Sequence, residues 1–434
     1  MKSSDKSSIV RAPAYAYRRE RGGAEQHSLF CESTSLLRLA ELYGTPLYVY
    51  SSEMIRARLK AFRRAFASAP HTLCYSVKAN GTLAVLRLIA GQGAGFDVVS
   101  GGELERVIRA KRSAAGLVVF SGVGKAVPEI ERALRAGILL FNVESASELR
   151  VLAACAARLK KRAPLSLRVN PDVSAKTHPY ISTGLHKHKF GVPIPVAREL
   201  YAEAARQPYL EVAGVSVHIG SQITDVSSFQ DALQRVANFV RELRDRGHDI
   251  RYVDAGGGLG ISYEQSERIF SDEITEYARA VIGPLRDLDV HLLLEPGRSI
   301  VGAAGVLLTR VLYRKTNSDK RFLIVDAAMN DLIRPSLYGA HHDIVPLMRS
   351  SVGMETTDVV GPICETGDFF ARDRNLPVVN EGEVLAILDA GAYGASLGSN
   401  YNARGKAAEV LVTGKRARVI RRRETTRDQL RLDT

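Results

Sequence analysis

Cysteine is scarce in this chain, with four in 434 residues. Cys31, Cys74, Cys155 and Cys364 stand far apart and form no CxxC pair, which excludes a disulfide framework or a cysteine-built zinc site and suits reduced thiols in a cytoplasm. Long apolar runs are also missing. The best candidate, Val301 to Leu308, is closed by Arg310, whereas a membrane-spanning helix needs about twenty apolar residues. Met1 to Ser8 is polar and has no apolar centre, so a secretory signal is not expected. Repeats and low-complexity segments are absent.

What is present is 45% hydrophobic and 25% charged residues, a balance that excludes wholesale disorder and suits two or three domains with sizeable cores. The net charge of +13 raises nucleic acid or an anionic substrate as partner. Its distribution decides between them. Residues 1–27 hold six Lys and Arg against three Asp and Glu, and residues 404–434 hold ten against four, which leaves only +4 for everything between. The excess sits at the two ends, and a nucleic-acid-binding surface is not expected. Residues 1–26 read as a basic, disordered leader.

Short apolar runs then alternate with amphipathic stretches. The runs are Thr72–Ser76, Phe96–Val99, Leu117–Phe120, Ile138–Asn142, Leu165–Val169, Ala213–His218, Arg251–Asp254 and His291–Leu294. Most are rich in Val, Leu or Ile, as strands buried on both faces are. The stretches between, such as Gly101–Ala110 and Phe229–Arg246, carry apolar residues at helical spacing. This α/β pattern predicts a (β/α)8 TIM barrel over residues 51–304. Polar and glycine residues follow the runs, among them Lys78-Ala79-Asn80, Ser100-Gly101-Gly102, Glu144-Ser145, Asp254 to Gly258 and Glu295-Pro296-Gly297-Arg298. A barrel places them on its catalytic face, whereas an open doubly wound sheet would use only the loops near one switch point. Beyond residue 305, strand-like runs lack intervening helices: Gly305–Tyr313, Arg321–Val325, Thr357–Val360, Val384–Ala390 and Ala407–Val412. Together with residues 27–50, residues 305–434 are expected to form a second, mostly antiparallel β domain.

Several residues can carry chemistry. Lys78 ends the first barrel strand, where desolvation favours a usable amine, although most loop lysines are simply solvated. Gly256-Gly257-Gly258-Leu259-Gly260 follows a strand and can close backbone N–H groups on a phosphate, or can be a tight turn alone. It is not GxGxxG, and Gly124-Lys125 lacks the rest of a Walker loop. Arg298 suits a carboxylate or phosphate, or a salt bridge with Glu295. His218 is a ring that can stack on a flat ligand or a core histidine. Cys364 lies beside Glu365 in a loop, as a proton donor or as a thiol next to a turn. Arg334 and Tyr338 can bind a carboxylate, and Tyr393 offers a hydroxyl. His186 with His188, and His341 with His342 and Asp343, hint at metal ligands but lack supporting spacing, and no metal is expected.

In their joint order these segments resemble the diaminopimelate decarboxylase family, within the alanine-racemase-like, fold-type III pyridoxal-phosphate enzymes. The resemblance runs from about Leu29 to Leu430. It rests on Tyr43-Gly44-Thr45-Pro46-Leu47-Tyr48-Val49-Tyr50, Tyr75-Ser76-Val77-Lys78-Ala79-Asn80, His218-Ile219-Gly220-Ser221-Gln222 and Asp254-Ala255-Gly256-Gly257-Gly258. Glu295-Pro296-Gly297-Arg298, Cys364-Glu365-Thr366-Gly367-Asp368 and Arg421-Arg422-Arg423-Glu424-Thr425 complete it. His188 stands where a smaller polar residue is commoner, Thr366 replaces a commoner Ser, and the leader is longer than most.

The resemblance implies pyridoxal 5'-phosphate held covalently by Lys78, with His218 stacked on its ring and Glu295 paired with the ring nitrogen. Ser221, Gly257, Gly258, Gly297, Arg298 and Tyr393 complete the implied cofactor set. Arg298, Arg334, Tyr338, Glu365 and Tyr393 are the implied substrate contacts, and Cys364 the residue that helps protonate the product. Lys78, Cys364 and His218 are thus the implied catalytic residues. The implied enzyme is a cytoplasmic homodimer with shared active sites that converts meso-2,6-diaminopimelate to L-lysine and CO2. A sister decarboxylase of ornithine, arginine or carboxynorspermidine is the rival reading. Neither a nucleic acid nor a membrane is an expected partner.

Overall fold

The computed structural model describes residues 9–11, 13–19, 27–173, 189–263, 270–349 and 353–434. They belong to two compact units, one comprising Arg58–Ile261 and Ile269–Ser299, the other Met1–Ala57, Ser262–Arg268 and Ile300–Thr434. Contacts therefore divide the chain a few residues away from the boundaries at 50/51 and 304/305 that composition suggests.

The first unit is a closed parallel barrel. Its strands are β1 (His71–Ser76), β2 (Gly95–Val98), β3 (Val118–Phe120), β4 (Leu140–Val143), β5 (Ala163–Asn170), β6 (Leu210–Ser216), β7 (Tyr252–Asp254) and β8 (His291–Leu294). Each pairs in parallel with the next, and β8 returns to β1 through Leu292 opposite His71, which closes the ring. The apolar runs read from the sequence are these strands to within a few residues. β2, β3 and β4 are buried along their whole length, which is why they contain so little polar residue. Cys74, Val119, Leu140, Ala213 and Leu293 pack together as an apolar cluster drawn from five strands.

Helices Leu83–Gly91, Gly101–Ala110, Val127–Ala136, Ala146–Leu159, Ile194–Ala205, Ser227–Asp245 and Phe270–Leu285 follow the first seven strands. Two serines expected on the catalytic face are helix caps: Ser100 Oγ accepts from Glu103 N–H at 3.2 Å, and Ser145 Oγ from Glu148 N–H at 3.1 Å. The helix after β8 is short, only Arg298–Val301. Helix Ser52–Ala65 instead precedes β1 and sets Phe62 and Phe66 edge-on to Tyr277, with ring centroids 6.4 and 5.8 Å apart.

The second unit is built on a nine-stranded sheet. Gly305–Asn317 runs antiparallel to Leu47–Ser51, to Lys320–Val325 and to Val384–Ile387. Two pairings are parallel: Leu47–Ser51 with Ala408–Thr413, and Lys320–Val325 with Met354–Val360. Strands Ile344–Pro346, Phe369–Pro377 and Arg416–Arg421 escaped the sequence reading; the last two are studded with charge, and Arg416–Arg421 is largely exposed.

The leader is corrected. Ile9–Arg11 and Tyr15–Arg19 are strands of a four-stranded antiparallel sheet with His27–Cys31 and Thr34–Ser35. Tyr15 is fully buried, and its hydroxyl donates to the Ala304 carbonyl at 2.9 Å. Polar, basic composition suggested disorder, but one buried tyrosine and one buried arginine anchor the segment.

Candidate active site

The barrel's polar side chains meet at the carboxyl ends of its strands. Lys78 sits in a single 3-10 turn after β1, and its Nζ donates to Asp97 Oδ2 at 2.7 Å. The amine is one-third exposed and the carboxylate fully buried. Lys78 is thus held by an ion pair, where the sequence had suggested desolvation as what makes the amine usable. Ser76 Oγ lies 2.9 Å from both Asp97 Oδ2 and the Glu295 carbonyl. The other Asp97 oxygen is buried without a hydrogen-bond partner among the described residues, which is costly unless a ligand completes the site.

A buried carboxyl pair lies beside this ion pair, at the ends of β7 and β8. Glu295 and Asp254 hydrogen-bond each other. Ser121 Oγ donates to Glu295 Oε1 at 3.1 Å, while Asn142 Nδ2 donates to Asp254 Oδ2 at 2.6 Å and to Ser121 Oγ at 3.0 Å. The Gly256 N–H donates to Asp254 Oδ1 at 2.9 Å. Burial, then the charges of Asp254 and Asp97, holds the Glu295 carboxyl well above the usual range. Burial also raises Asp254, to about 6, against the hydrogen bonds from Asn142 and Gly256 that favour its charge. Both shifts run the same way, so the pair holds a proton to higher pH than free carboxyls do.

The remaining barrel candidates adjoin this network in the chain's strand-end loops. Burial, then Arg168 and Lys78, holds the His218 imidazole well below its usual value, so it is neutral. Arg168 pairs with Glu144 at 3.2 Å and lies over the Phe190 ring at 4.8 Å. Arg298 is buried, and its Nη2 donates to Ser221 Oγ at 3.3 Å. The glycine loop is tight: a Cβ on Gly257 would meet the Glu295 carbonyl oxygen at 2.2 Å, and one on Gly258 would meet the Gly220 oxygen at 2.5 Å with φ at +109°. No larger residue fits either position. Gly297 packs against Ser76 and Ala79, where a Cβ would come within 3.0 and 3.1 Å.

The structure thus brings Lys78, Glu295, the glycine loop and Arg298 onto one barrel, with His218 and Ser221. Arg334, Tyr338, Cys364, Glu365 and Tyr393 belong to the other unit. There Arg334 is buried, with its Nη1 2.8 Å from His342 Nε2 and its guanidinium 4.6 Å from the Tyr263 ring centre. Cys364 and Glu365 are exposed, and the Cys364 N–H donates to Asn402 Oδ1 at 3.1 Å. Tyr338 and Tyr393 are half-buried. Among the described residues no group of His, Cys, Asp or Glu could hold a metal. His341 pairs with Asp343 at 2.9 Å, and His186 and His188 lie outside the described residues. Ser121 follows the third run, as the strand-end pattern expected, but sequence reasoning gave Asp97 and Asn142 no role. The available signal was a lone polar side chain in an otherwise apolar strand run.

An amine, buried carboxyls and a glycine loop gathered at the strand ends of one parallel barrel suit a pyridoxal-dependent enzyme. Residues 52–302 match the family described as "Pyridoxal-dependent decarboxylase, pyridoxal binding domain". Similar proteins include a diaminopimelate decarboxylase of Pseudomonas aeruginosa, 52% identical over 92% of this chain and 95% of its own. A crystal structure of diaminopimelate decarboxylase from Helicobacter pylori complexed with L-lysine is 43% identical, covers 92% of this chain and 98% of that one, and superposes with a TM-score of 0.87. One from M. jannaschii in co-complex with L-lysine is 39% identical, covers 96% and 97%, and gives 0.89. The chain belongs to the diaminopimelate decarboxylase family.

Proposed function

We propose that this chain removes CO2 from meso-2,6-diaminopimelate and releases L-lysine, with pyridoxal 5'-phosphate as cofactor. The observation that carries the reading is Lys78 paired with buried Asp97 on the same barrel as the proton-sharing Glu295 and Asp254. The donor set fits the cofactor. A loop too tight for any Cβ at Gly257 and Gly258 lets backbone approach a phosphate, and among the described residues one buried Asp97 oxygen has no donor.

When bound, the cofactor supplies an electron sink for the pair left on the substrate carbon as CO2 departs. Lys78 is the amine that carries it, and Asp97 holds that amine in place while it is free. Glu295 would pair with the ring nitrogen and keep it protonated, with Asp254 hydrogen-bonded to Glu295 behind it. His218, neutral at working pH, offers a flat face without adding charge. Ser221, Gly257, Gly258, Gly297, Arg298 and Tyr393 hold the phosphate side. Arg298, Arg334, Tyr338, Glu365 and Tyr393 take the amino-acid end that is not decarboxylated, with the arginines binding the retained carboxylate. Cys364 supplies a proton to the carbon that lost CO2. The working form is a homodimer with shared active sites, in the cytoplasm. No helix among the described residues is long and apolar enough to cross a membrane.

Borohydride reduction of the cofactor-loaded chain, followed by peptide mapping, tests the assignment. The label is expected on the peptide carrying Lys78; a label on another lysine overturns the residue assignment.

A further inference from the structure

Arg11 is a buried arginine to which the resemblance gives no role, and it sits in the segment expected to be a disordered leader. Its Nε lies 3.0 and 3.1 Å from the two Asp389 oxygens, and its Nη2 donates to Asp389 Oδ2 at 2.8 Å. The same Nη2 reaches Asp343 Oδ2 at 3.0 Å and the Tyr263 carbonyl at 3.2 Å. Three segments distant in sequence are therefore tied by one side chain. Asp389 is fully buried, so this ion pair is shielded from screening by solvent.

Each tied residue adjoins the surroundings of Arg334. The Leu388 N–H donates to the Asp343 carbonyl at 2.8 Å, and the Leu388 carbonyl lies 2.7 Å from His342 Nδ1. His342 is fully buried and meets Arg334 at Nε2. A carbonyl can only accept, so Nδ1 carries the proton and Nε2 accepts from Arg334. Tyr263 covers the Arg334 guanidinium and also meets the His342 ring edge-on at 5.1 Å.

We infer that Arg11 is a positioning residue for Arg334: by bridging Asp343 and Asp389 and holding the Tyr263 carbonyl, it fixes His342 and Tyr263, and these two fix the guanidinium that binds the retained carboxylate. The inference rests on the assignment of Arg334 proposed above. A guanidinium held in one orientation binds a carboxylate without losing side-chain freedom, and a loosened one must be ordered at each binding event. The N-terminal strand is thus part of the specificity apparatus.

The test compares R11A, R11K and R334Q in the full, cofactor-loaded chain. The readouts are KM and kcat for meso-diaminopimelate, the affinity for L-lysine by calorimetry, and the melting temperature. Lysine keeps the positive charge beside Asp389 but cannot bridge Asp343, Asp389 and the Tyr263 carbonyl together, so R11K carries the test if R11A does not fold. Both folded Arg11 variants are expected to raise KM and weaken L-lysine by roughly tenfold, the scale of one displaced charged hydrogen bond, with kcat within about threefold of the parent. If R334Q loses L-lysine binding and folded R11K keeps the parental KM and affinity, the clamp is overturned. If R334Q itself binds L-lysine normally, the assignment of Arg334 is what fails, and the clamp's purpose fails with it. A purely structural Arg11 would lower the melting temperature and leave the KM of the folded protein unchanged.

Discussion

Lys78 and Asp97 form an ion pair of 2.7 Å at the strand ends of the barrel, with the carboxylate fully buried and the amine one-third exposed. Asp97 lies in β2 and Lys78 just beyond β1, and these strands pair in parallel with Ser76 opposite Asp97. Sheet register alone therefore delivers the carboxylate to the amine. D97N should keep the barrel but loosen the amine, because a charge-assisted bond is replaced by a neutral one. The expected loss in kcat is tenfold or more, corresponding to ~1.5–3 kcal/mol. Steady-state kinetics together with cofactor content by absorbance checks this, and a D97N protein with parental kcat would refute it.

The buried pair Asp254 and Glu295 predicts a pH dependence of stability in the cofactor-free protein. Asp254 titrates at about 6 in the fold, and Glu295 also lies above its ordinary value, whereas unfolded carboxyls titrate near ~4. Between those values the folded state binds more protons than the unfolded state. The pair's contribution to stability is therefore full below pH ~4 and is lost as pH rises through the folded values, by up to ~1.4 kcal/mol per pH unit per proton. Denaturant unfolding from pH 5 to 8 should show this slope on top of the other groups, and D254N should flatten it. An unchanged slope in D254N would mean that the pair does not share its proton.

The glycine loop makes a steric prediction. G257A forces a methyl group to within 2.2 Å of the Glu295 carbonyl oxygen, so either the loop or β8 must move. Overpacking of this kind costs ~1–3 kcal/mol. Because the same loop is the proposed phosphate cradle, cofactor affinity should fall further than stability. Equilibrium dialysis beside thermal melting separates the two effects.

Cysteine chemistry gives a counting experiment. Cys31, Cys74 and Cys155 are buried, and Cys364 is exposed. Burial pushes the Cys74 thiol well above its ordinary value and raises Cys31 as well. A thiol reagent should therefore modify a single cysteine rapidly in the native chain, at Cys364, and unfolding should release the other three. L-lysine should slow the modification if Cys364 serves the active site.

The barrel was legible in the sequence because parallel strands buried on both faces, such as Gly95–Val98 and Leu140–Val143, read as apolar runs ending in polar residues. Lys78 and Glu295 were legible for the same reason, since both stand where a run ends. The roles of Asp97 and Asn142 were not, because a single polar residue in an apolar run acquires meaning only through register with its neighbours. The N-terminal strands were misread on composition. Arg11 looks like one more leader charge until the fold brings it to Asp389, 378 residues away. Arg416–Arg421 was missed because an exposed strand needs no apolar alternation when its neighbour supplies the hydrogen bonds, and Phe369–Pro377 because Arg372, Asp373 and Arg374 interrupt its apolar residues.

The most direct test is CO2 release by the cofactor-loaded chain from meso-2,6-diaminopimelate and, side by side, from L-ornithine, with the amine product identified. The account predicts CO2 and L-lysine in equal amounts from diaminopimelate, negligible release from ornithine, and loss of both products in K78A. Preferential release from ornithine, or release that survives K78A, would contradict it.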